Sequence, residues 1–482
     1  MSLDENVRPL SQHDVTQLLA DLPPPSQTKL SQDDVASHPV LVVLDDDPTG
    51  TQTCHDVNVL TVWDAATLLD EFKSNCNGFF ILTNSRALPP IEARKLIQVI
   101  CTAVKKAAEE ANKKFEVVLR GDSTLRGHFP DEPEAAEEVL GEAGLWVLAP
   151  FFEQGGRVTI NDIHYIANPD GSLVPAAQTP FAKDATFGYT QSNLKEYIRE
   201  KSNGRISNGR IHSISLKKIR SGGATQVCEE LMSLPRRSVV FLNAVVTADM
   251  DVFVQGLLQA RSQGRSFIYR TGAAFVSSRL AIRQMPPLSA EALNMDLGTS
   301  APGGLIIAGS YVPKTTEQLE SLVSGRGEKL NTIILEVDEL LQANGIAQRT
   351  IAAAAEKASM LISGGKDVLL MTSRKLIVGG DQLSSLKIDG VVAESLVQFL
   401  RMVTTKPRYV IAKGGITSSD AATKGLLFKR AKICGQAAPG VPLWMCEEST
   451  SKWPGIPYVV FPGNVGQADT LRDLVASWSI AP

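Results

Sequence analysis

Short apolar runs that end in polar residues recur along the first half of the chain. The runs "PVLVVL" (39–44), "GFFIL" (78–82) and "FEVVL" (115–119) have the length of buried strands. Between the second and the third run, residues 89–114 begin with two prolines and carry apolar side chains at helical spacing. Strand, helix and strand in this order predict a parallel sheet flanked by helices.

The second half of the chain repeats a unit of strand, glycine-containing loop and helix. The unit is found in "GLIIAGSYVPKTTEQLESLV" (304–323), "RYVIAKGGITSSDAATKGLLF" (408–428) and "PYVVFPGNVGQADTLRDLVASW" (457–478). Residues 146–200 differ, with few helix signals and the turn sequence "NPDG", so strands and an irregular hairpin are expected there. The chain is therefore predicted to be an α/β protein with two domains, each a largely parallel sheet flanked by helices.

A segment rich in proline, serine and glycine, residues 283–304, has no period and marks the predicted junction of the two domains. The first 36 residues, which include "LPPPSQTKLSQDD", also lack a clean period. The sequence predicts an N-terminal extension at 1–36, a first domain at 37–285, a linker at 286–303 and a second domain at 304–482.

Composition and charge narrow the class of protein. With 482 residues, of which 43% are hydrophobic and 21% charged, the chain can build substantial cores in two domains. A net charge of −4 argues against a general nucleic-acid surface, and six widely spaced cysteines without a C-x-x-C pair favour reduced thiols. No apolar run approaches the ~18 residues of a membrane span, and the polar N-terminus argues against a secretory signal or transit peptide. A cytoplasmic protein without membrane or nucleic-acid partners is expected.

Three adjacent aspartates, Asp45 to Asp47, directly follow the first apolar run. At the end of a strand, their side chains can reach a cleft rather than the core. Carboxylates in such a place can bind a metal, accept a proton from a substrate hydroxyl or hydrogen-bond a polyol. The alternative is an acidic turn or helix cap, because "DPTG" is a favourable turn sequence.

Two further loops after apolar runs, "LTNSRAL" (82–88) and "LRGDSTLRGHF" (119–129), are dense in polar groups. Their charged and hydroxyl side chains include Arg86, Arg120, Asp122, Ser123, Thr124 and Arg126. The guanidinium groups can hold a carboxylate or a phosphate bidentately, and the other side chains can address hydroxyls. Together with the aspartates they indicate a small, anionic, hydroxyl-rich substrate. Pairing of arginine and aspartate at the surface is the alternative.

Glycines end three strands of the predicted second domain, at Gly309–Ser310, Gly414–Gly415 and Gly463–Asn464. Beyond the carboxyl ends of parallel strands, such loops let backbone amides approach a phosphate, and the N-terminus of a helix follows. An ordinary turn is the alternative for each loop alone, whereas three in one domain favour phosphate binding. The chain has no P-loop, no strand-to-helix G-x-G-x-x-G and no G-x-S-x-G, and no two of its six histidines have metal-ligand spacing.

Read together, these motifs resemble the four-carbon acid sugar kinase family. The matching segments run in the family's order from about residue 38 to residue 478: "DDDPTGTQTCHDVNVLT", "TNSRAL", "RGDSTLRGHFP", "TPFAKDATFGY", "AGSYVPKTTEQL", "AKGGITSSDAA" and "PGNVGQADTL". The resemblance implies an N-terminal domain that binds a sugar acid, a C-terminal domain that binds ATP, and an active site in the cleft between them. It also implies transfer of phosphate, with Mg²⁺, to the terminal hydroxyl of an acid such as threonate, erythronate or 3-oxo-tetronate. A homodimer is common in the family.

Position by position, the motifs of the family fall on individual residues of this sequence. The motif with the aspartates falls on Asp46 and Asp47, either of which is expected to orient and deprotonate the terminal hydroxyl of the substrate, and no role falls on Asp45. The residues implied to bind the substrate are Thr49, Gly50, Ser85, Arg86, Arg120, Asp122, Ser123, Thr124 and Arg126. The residues implied to bind the nucleotide are Ser310, Gly414, Gly415, Ile416, Thr417 and Gly463. No metal ligand is assigned.

The sequence departs from the family pattern at several of these positions. Arg120 and Gly121 replace a lysine and an apolar residue, "GGIT" replaces G-G-E-T, and Pro48 and Thr51 replace a leucine and an alanine. These differences leave open a glycerate-type or other hydroxy-acid kinase. They also leave open a protein that binds nucleotide and sugar acid as a sensor without turnover.

Overall fold

The computed structural model describes residues 7–309, 311–342, 345–374 and 382–479. The chain is divided into two compact units. The first unit comprises Met1–Thr53 and Val62–Gln284, and the second unit comprises Cys54–Thr61 and Met285–Pro482.

Strands and helices alternate over most of both units. The strands of the described ranges are β1 (Val40–Asp45), β2 (Val57–Leu60), β3 (Gly78–Leu82), β4 (Phe115–Arg120), β5 (Leu145–Ala149), β6 (Arg157–Ile160), β7 (Ile163–Ala167), β8 (Leu173–Pro175), β9 (Ile211–Ile214), β10 (Ser238–Leu242), β11 (Phe267–Thr271), β12 (Leu305–Ala308), β13 (Leu330–Leu335), β14 (Asp367–Thr372), β15 (Val410–Lys413), β16 (Arg430–Ala438), β17 (Val441–Cys446) and β18 (Ile456–Phe461). The α-helices of the same ranges are α1 (Gln12–Ala20), α2 (Gln32–Ala36), α3 (Ala65–Lys73), α4 (Pro90–Glu110), α5 (Asp131–Leu140), α6 (Leu194–Lys201), α7 (Leu216–Ser233), α8 (Thr247–Ser262), α9 (Ala273–Arg279), α10 (Pro313–Arg326), α11 (Val337–Leu340), α12 (Ile346–Ser363), α13 (Gln382–Met402), α14 (Gly415–Asp420) and α15 (Thr470–Ser477).

The sheet of the first unit has the order β3-β1-β4-β11-β5-β10-β9, and its neighbouring strands run parallel. Every residue of β1 and of β3 is buried, which explains why these strands are continuous apolar runs rather than alternating ones. Helix α4 buries Ile97, Ile100 and Val104, which lie on one helical face. Within this sheet the connection after β1 leads to β3 on one side, whereas the connection after β4 leads to β5 on the other side. A topological switch point therefore lies between the carboxyl ends of β1 and β4.

A smaller antiparallel sheet, β6-β7-β8, comes from the region where the sequence predicts strands and an irregular hairpin. The N-terminal segment adds to it, because Leu10 and Leu173 exchange two backbone hydrogen bonds of 2.8 Å. Helices α1 and α2 were not predicted from the sequence. Each begins with a capping box that joins a serine to an aspartate three residues later, a recognisable helix-start signal.

The sheet of the second unit begins with parallel strands in the order β13-β14-β12-β15-β18 and continues with the antiparallel strands β17, β16 and β2. Strand β2 lies within Cys54–Thr61, far in sequence from the rest of this unit, and pairs with β16 so that Leu60 is opposite Arg430. The chain moves from β12 to one side of the sheet and returns at β15 on the other. A second switch point therefore lies between β12 and β15.

The predicted fold class is confirmed, since both units contain a largely parallel sheet flanked by helices. Between α9 and β12 the described residues form no helix or strand, and the two units part between Gln284 and Met285. The predicted first domain, 37–285, includes the segment that supplies β2 to the second unit. The predicted position of the active site between the domains stays a prediction.

Candidate active site

The candidate site residues of the first unit follow neighbouring strands. In the register of the sheet, Asp45 at the end of β1 lies beside Leu82 of β3 and Arg120 of β4, and Arg120 lies beside Thr271 of β11. The carboxyl ends of these strands meet at one edge of the sheet, so the loops that follow them converge at the switch point. Residues that are far apart in sequence therefore form one cluster of carboxylates and guanidinium groups.

Asp45 lies beneath this cluster and is 1% exposed. Its Oδ1 is 3.3 Å from Arg120 Nη1, and its Oδ2 has no hydrogen-bond partner among the described residues. A Cβ placed on Gly50 would lie 2.1 Å from both oxygens, so the glycine lets the loop close over the carboxylate. Burial raises the pKa of Asp45 to about 7, and the charge of Arg120 opposes this rise. Asp45 therefore packs against the backbone at Gly50 and supports the loop that follows β1.

Asp47 closes the turn that follows β1. Its Oδ1 accepts hydrogen bonds from the Thr49 amide (2.9 Å) and hydroxyl (2.6 Å), which caps the 3₁₀ turn Pro48–Thr51. Its Oδ2 is 2.5 Å from Arg86 Nη2. Burial opposes ionisation, but Arg86 and the Thr49 hydrogen bonds outweigh it, so the pKa of Asp47 lies below its usual value. The turn chemistry seen in the sequence is thus combined with an ion pair.

Asp46 is also buried but retains an unengaged oxygen. Its Oδ1 has no hydrogen-bond partner among the described residues, although Arg86 Nη2 and Arg120 Nη1 each lie 3.9 Å away. Its Oδ2 is 3.5 Å from Arg270 Nη2. Buried polar atoms are nearly always hydrogen-bonded, so this oxygen is a candidate acceptor for the hydroxyl of a ligand.

The loop after β4 supplies the second half of the cluster. Asp122 Oδ2 accepts hydrogen bonds from Arg126 Nε (2.6 Å) and from the Thr124 hydroxyl, and Arg86 Nη1 is 3.7 Å away. Burial disfavours the charge of Asp122, yet Arg126 and Arg86 hold its pKa below the usual value. Burial likewise works against the charge of Arg86, but the surrounding carboxylates raise its pKa. Arg86 thereby links the two loops.

The structure brings most of the predicted residues of the first unit into this cluster. Its members are Asp46, Asp47, Thr49, Gly50, Ser85, Arg86, Arg120, Asp122, Thr124 and Arg126. Ser123 lies on the same loop, and its carbonyl oxygen accepts a hydrogen bond from His164 Nε2 at 2.8 Å. The catalytic and substrate-binding roles of these residues stay predictions.

Two buried charged residues behind the cluster, Glu132 and Arg270, were not predicted from the sequence. Arg270 Nη1 donates to Glu132 Oε2 at 2.8 Å, and Ser85 Oγ donates to Glu132 Oε1 at 2.5 Å. Burial raises the pKa of Glu132, and Arg270 opposes the rise. A Cβ on Gly121 or Gly127 would lie 2.2 Å from the Arg270 guanidinium, so both glycines make room for it. An arginine inside the apolar run "SFIYRT" is the sequence signal for this residue.

Glycine loops follow three neighbouring strands of the second unit. Lys413 at the end of β15 lies beside Ala308 of β12 and Phe461 of β18, so the loops begin side by side at the switch point. Gly414 has a φ of +107°, a conformation that favours glycine, and it precedes α14. The predicted nucleotide-binding residues on these loops are Gly414, Gly415, Ile416, Thr417 and Gly463. The remaining one, Ser310, lies outside the described residues.

These loops are closely packed. A Cβ on Gly309 would lie 2.6 Å from Leu396 Cδ1 and 3.2 Å from Thr417 Oγ1. The Thr315 hydroxyl donates to the Gly463 carbonyl oxygen at 3.2 Å, which ties α10 to the third loop. Close backbone approach beside the beginning of a helix is the arrangement that suits a phosphate group.

A buried lysine lies at the base of the same loops. Lys413 is fully buried, its Nζ donates to the Pro462 carbonyl oxygen, and the Nζ lies 4.3 Å from the centroid of the Phe461 ring. Burial lowers the pKa of Lys413 to about 7, and the charge of Lys314 adds to the effect. The charge beneath the loops therefore changes near neutral pH.

All six cysteines are free thiols, as the sequence predicts. Across the described ranges, no group of three or more His, Cys, Asp or Glu side chains is arranged to hold a metal ion. Within the same part of the chain, no helix has both the length and the apolar content needed to cross a membrane.

The first sheet has a charged cluster at its switch point, and the second sheet has glycine loops at its switch point. This arrangement is typical of α/β proteins whose ligands bind beyond the carboxyl ends of the strands. Residues 41–279 match the model of a sugar-binding N-terminal domain, and residues 305–471 match the model of a nucleotide-binding C-terminal domain. The chain belongs to the four-carbon acid sugar kinase family, which confirms the predicted family.

Named relatives agree with this assignment, and two solved structures share the fold. A D-threonate kinase from Salmonella typhimurium LT2 is 24% identical over 410 residues, which cover 82% of this chain and 86% of the relative. A D-erythronate kinase from Heliobacterium modesticaldum is 23% identical over 303 residues, which cover 61% of this chain and 62% of the relative. A crystal structure from Salmonella typhimurium LT2, described as a tRNA synthase, has a TM-score of 0.63 at 16% identity and covers 91% of this chain and 98% of its own. A Haemophilus influenzae protein has a TM-score of 0.57 at 16% identity, with coverages of 91% and 100%.

Proposed function

We propose that the protein is an ATP-dependent kinase that phosphorylates the terminal hydroxyl of a four-carbon sugar acid, of the threonate, erythronate or 3-oxo-tetronate 4-kinase type. Membership in the family and the relatives named for D-threonate and D-erythronate support this proposal. The observation that carries it is Asp46, a buried carboxylate with an unengaged oxygen at the switch point of the sugar-binding sheet.

Asp46 is the better supported of the two candidate general bases. Its Oδ1 has no hydrogen-bond partner among the described residues and is available to accept the proton of a substrate hydroxyl, and Arg86 and Arg120 each lie 3.9 Å from it. Asp47 has both oxygens engaged and a pKa below its usual value, which makes it a weaker base. Asp47 acts as a positioning residue that holds Arg86 and the turn.

In this proposal the other predicted residues of the charged cluster contact the substrate or hold the residues that do. Arg86 lies between Asp46 and Asp122 and offsets the negative charge that develops during transfer. Arg120 acts through Asp45 and Asp46, with which it is buried. The groups that address the hydroxyls and the carboxylate of the acid are Thr49, Gly50, Ser85, Asp122, Ser123, Thr124 and Arg126.

The glycine loops of the second unit are proposed to hold the triphosphate of the second substrate, Mg–ATP. Gly309 fits this role because a Cβ there would lie 2.6 Å from Leu396 Cδ1, so glycine allows the close packing of the loop, and Gly414 to Thr417 lie at the beginning of a helix. Gly463 contributes the third loop. Mg²⁺ bound to ATP supplies neutralisation of the phosphate charge. Within the described residues no group of three or more His, Cys, Asp or Glu side chains is arranged to hold the ion, so no protein ligand is assigned to it.

An assay of ADP release against a panel of three- to five-carbon sugar acids tests the proposal. Turnover of a four-carbon acid supports it, whereas preference for glycerate or another hydroxy acid moves the assignment to the alternative kinase. ATP binding without turnover of any acid favours the sensor. In the active protein we expect Asp46→Asn to lower kcat by about 10²- to 10⁴-fold. Asp70→Asn, which removes an exposed carboxylate of the same unit, is the control, and equal activity of both variants would contradict the role of Asp46.

A further inference from the structure

The antiparallel sheet β6-β7-β8 is fixed against the loop that carries Asp122 and Arg126. His164 of β7 donates from Nε2 to the Ser123 carbonyl oxygen at 2.8 Å, and its Nδ1 is 3.0 Å from Thr159 Oγ1. The Tyr189 hydroxyl donates to the Thr124 carbonyl oxygen at 2.8 Å. The smaller sheet is therefore part of the substrate-binding cluster rather than a separate appendage.

The first residue of β6, Arg157, brings another guanidinium group to this cluster. Its Cζ lies 6.0 Å from the centroid of the Phe181 ring, and the Cζ of Arg126 lies 5.1 Å from the same centroid. The two guanidinium groups thus share one aromatic ring, which orients them through cation–π contact. Neither Arg157 nor Phe181 was among the residues predicted from the sequence.

The two arginines differ in how their charges are compensated. Arg126 pairs with Asp122 (2.6 Å) and lies 3.6 Å from Asp184. Among the described residues, no carboxylate lies within ion-pair distance of Arg157, its Nε is buried without a hydrogen-bond partner, and one Nη donates to the Gly155 carbonyl oxygen. Burial lowers the pKa of Arg157, as expected of a cation that lacks a paired anion.

Arg157 is partly buried, and its buried Nε has no hydrogen-bond partner among the described residues, so an anionic ligand would complete the hydrogen bonding of this guanidinium group. A series of ion pairs connects the arginine pair to Asp46. Arg86 lies 3.9 Å from Asp46 and 3.7 Å from Asp122, which in turn contacts Arg126. One guanidinium and one carboxylate therefore separate the proposed base from the arginine pair.

We propose that Arg157, together with Arg126, binds the carboxylate of the substrate and makes the site selective for sugar acids over the corresponding neutral polyols. This inference rests on the proposed function of the same site and names the residue that recognises the acid group. Arg157 supplies the uncompensated charge, and Arg126, already held by two aspartates, fixes the geometry. Bidentate guanidinium–carboxylate pairing gives both affinity and orientation.

The test is Arg157→Met, with Arg157→Lys as the conservative variant and Arg199→Gln as the control. Arg199 forms an exposed ion pair with Glu196 in the same unit, so the control removes one arginine charge away from the cluster. KM and kcat are measured for the best four-carbon acid and for the polyol in which the carboxylate is replaced by CH₂OH. We expect Arg157→Met to raise KM for the acid by about 10- to 100-fold and to change kcat and the polyol KM by less than about 3-fold. Arg157→Lys should restore part of the affinity for the acid.

Calorimetric titration of the acid without ATP separates failure of the inference from failure of the proposed function. Binding that depends on Arg157 but no turnover would overturn the kinase assignment and keep the inference. Turnover with a KM for the acid that is unchanged in Arg157→Met, or that rises equally for acid and polyol, would overturn the inference alone. Wild-type protein that neither binds nor phosphorylates any acid would overturn both. Urea midpoints of the variants show whether a loss reflects folding instead.

Discussion

Replacing Asp45 by asparagine should change how the stability of the first unit depends on pH. The carboxylate is 1% exposed, and burial raises its pKa from the usual 3.8 to about 7 despite Arg120, while Asp46 and Asp47 add to the rise. Asparagine keeps the shape of the side chain and an oxygen that can accept from Arg120. It removes the ionisation and leaves the packing under Gly50 in place.

The size of the expected change in the free energy of unfolding follows from the linkage between protonation and folding. Between about pH 4 and pH 7 the folded protein keeps a proton on Asp45 that the unfolded chain has released. The unfolded state binds fewer protons, so stability falls as pH rises through this window. At about 1.4 kcal/mol per pKa unit, the loss amounts to roughly 4 kcal/mol by pH 7 and then stays constant. Asp45→Asn lacks this loss, so it should gain about that much stability relative to the wild type between pH 4.5 and pH 8.

Hydrogen exchange of peptides from β1, β3 and β4 is the suitable measurement, because it reports on the first unit separately from the second. Wild type and variant are compared at the same pH, so intrinsic exchange rates cancel. Asp70→Asn, an exposed change in α3, should follow the wild-type profile. Parallel profiles of wild type and Asp45→Asn from pH 4.5 to pH 8 would refute the reasoning. They would mean that Asp45 is ionised in the folded protein across the whole range.

Two further changes test other parts of the structure. Lys413→Met should stabilise the second unit most below pH 7, where folding of the wild type buries the lysine charge. The gain in the free energy of unfolding should shrink by roughly 1.4 kcal/mol per pH unit between pH 7 and pH 10. Scanning calorimetry at several pH values measures this gain, and a gain that does not change with pH would contradict the prediction. Gly127→Ala should cost about 1–3 kcal/mol more than Gly204→Ala, because both glycines have positive φ but only Gly127 would place a Cβ 2.2 Å from Arg270. Urea unfolding compares the two, and equal losses would show that Arg270 does not fill that space.

The sequence predicts well whatever depends on short-range pattern. Apolar runs fix the strands β1, β3 and β4, and the polar residues after them fall at one sheet edge because parallel strands share a direction. Arg270 and Glu132 could not be placed, since their pairing joins β11 to α5 and depends on two glycines elsewhere. The transfer of Cys54–Thr61 to the second unit is also a long-range event that no local pattern indicates. Arg157 lies in a region for which the sequence predicts only strands and an irregular hairpin, so no pattern indicated a functional role for it.

The three adjacent aspartates, Asp45 to Asp47, have different structural roles. Successive side chains at the end of a strand point in different directions, so neighbouring carboxylates have different surroundings even where they share a guanidinium group. Asp45 points beneath Gly50, Asp46 lies among Arg86, Arg120 and Arg270, and Asp47 turns back to cap the next turn. Burial raises the pKa of Asp45 although Arg120 opposes the rise, whereas Arg86 and the Thr49 hydrogen bonds hold the pKa of Asp47 below its usual value. A base for phosphoryl transfer needs a carboxylate oxygen that can accept the proton of the hydroxyl. Asp47 has both oxygens engaged, and Gly50 closes over the carboxylate of Asp45. Of the three, Asp46 is therefore the best candidate, with an Oδ1 that has no hydrogen-bond partner among the described residues.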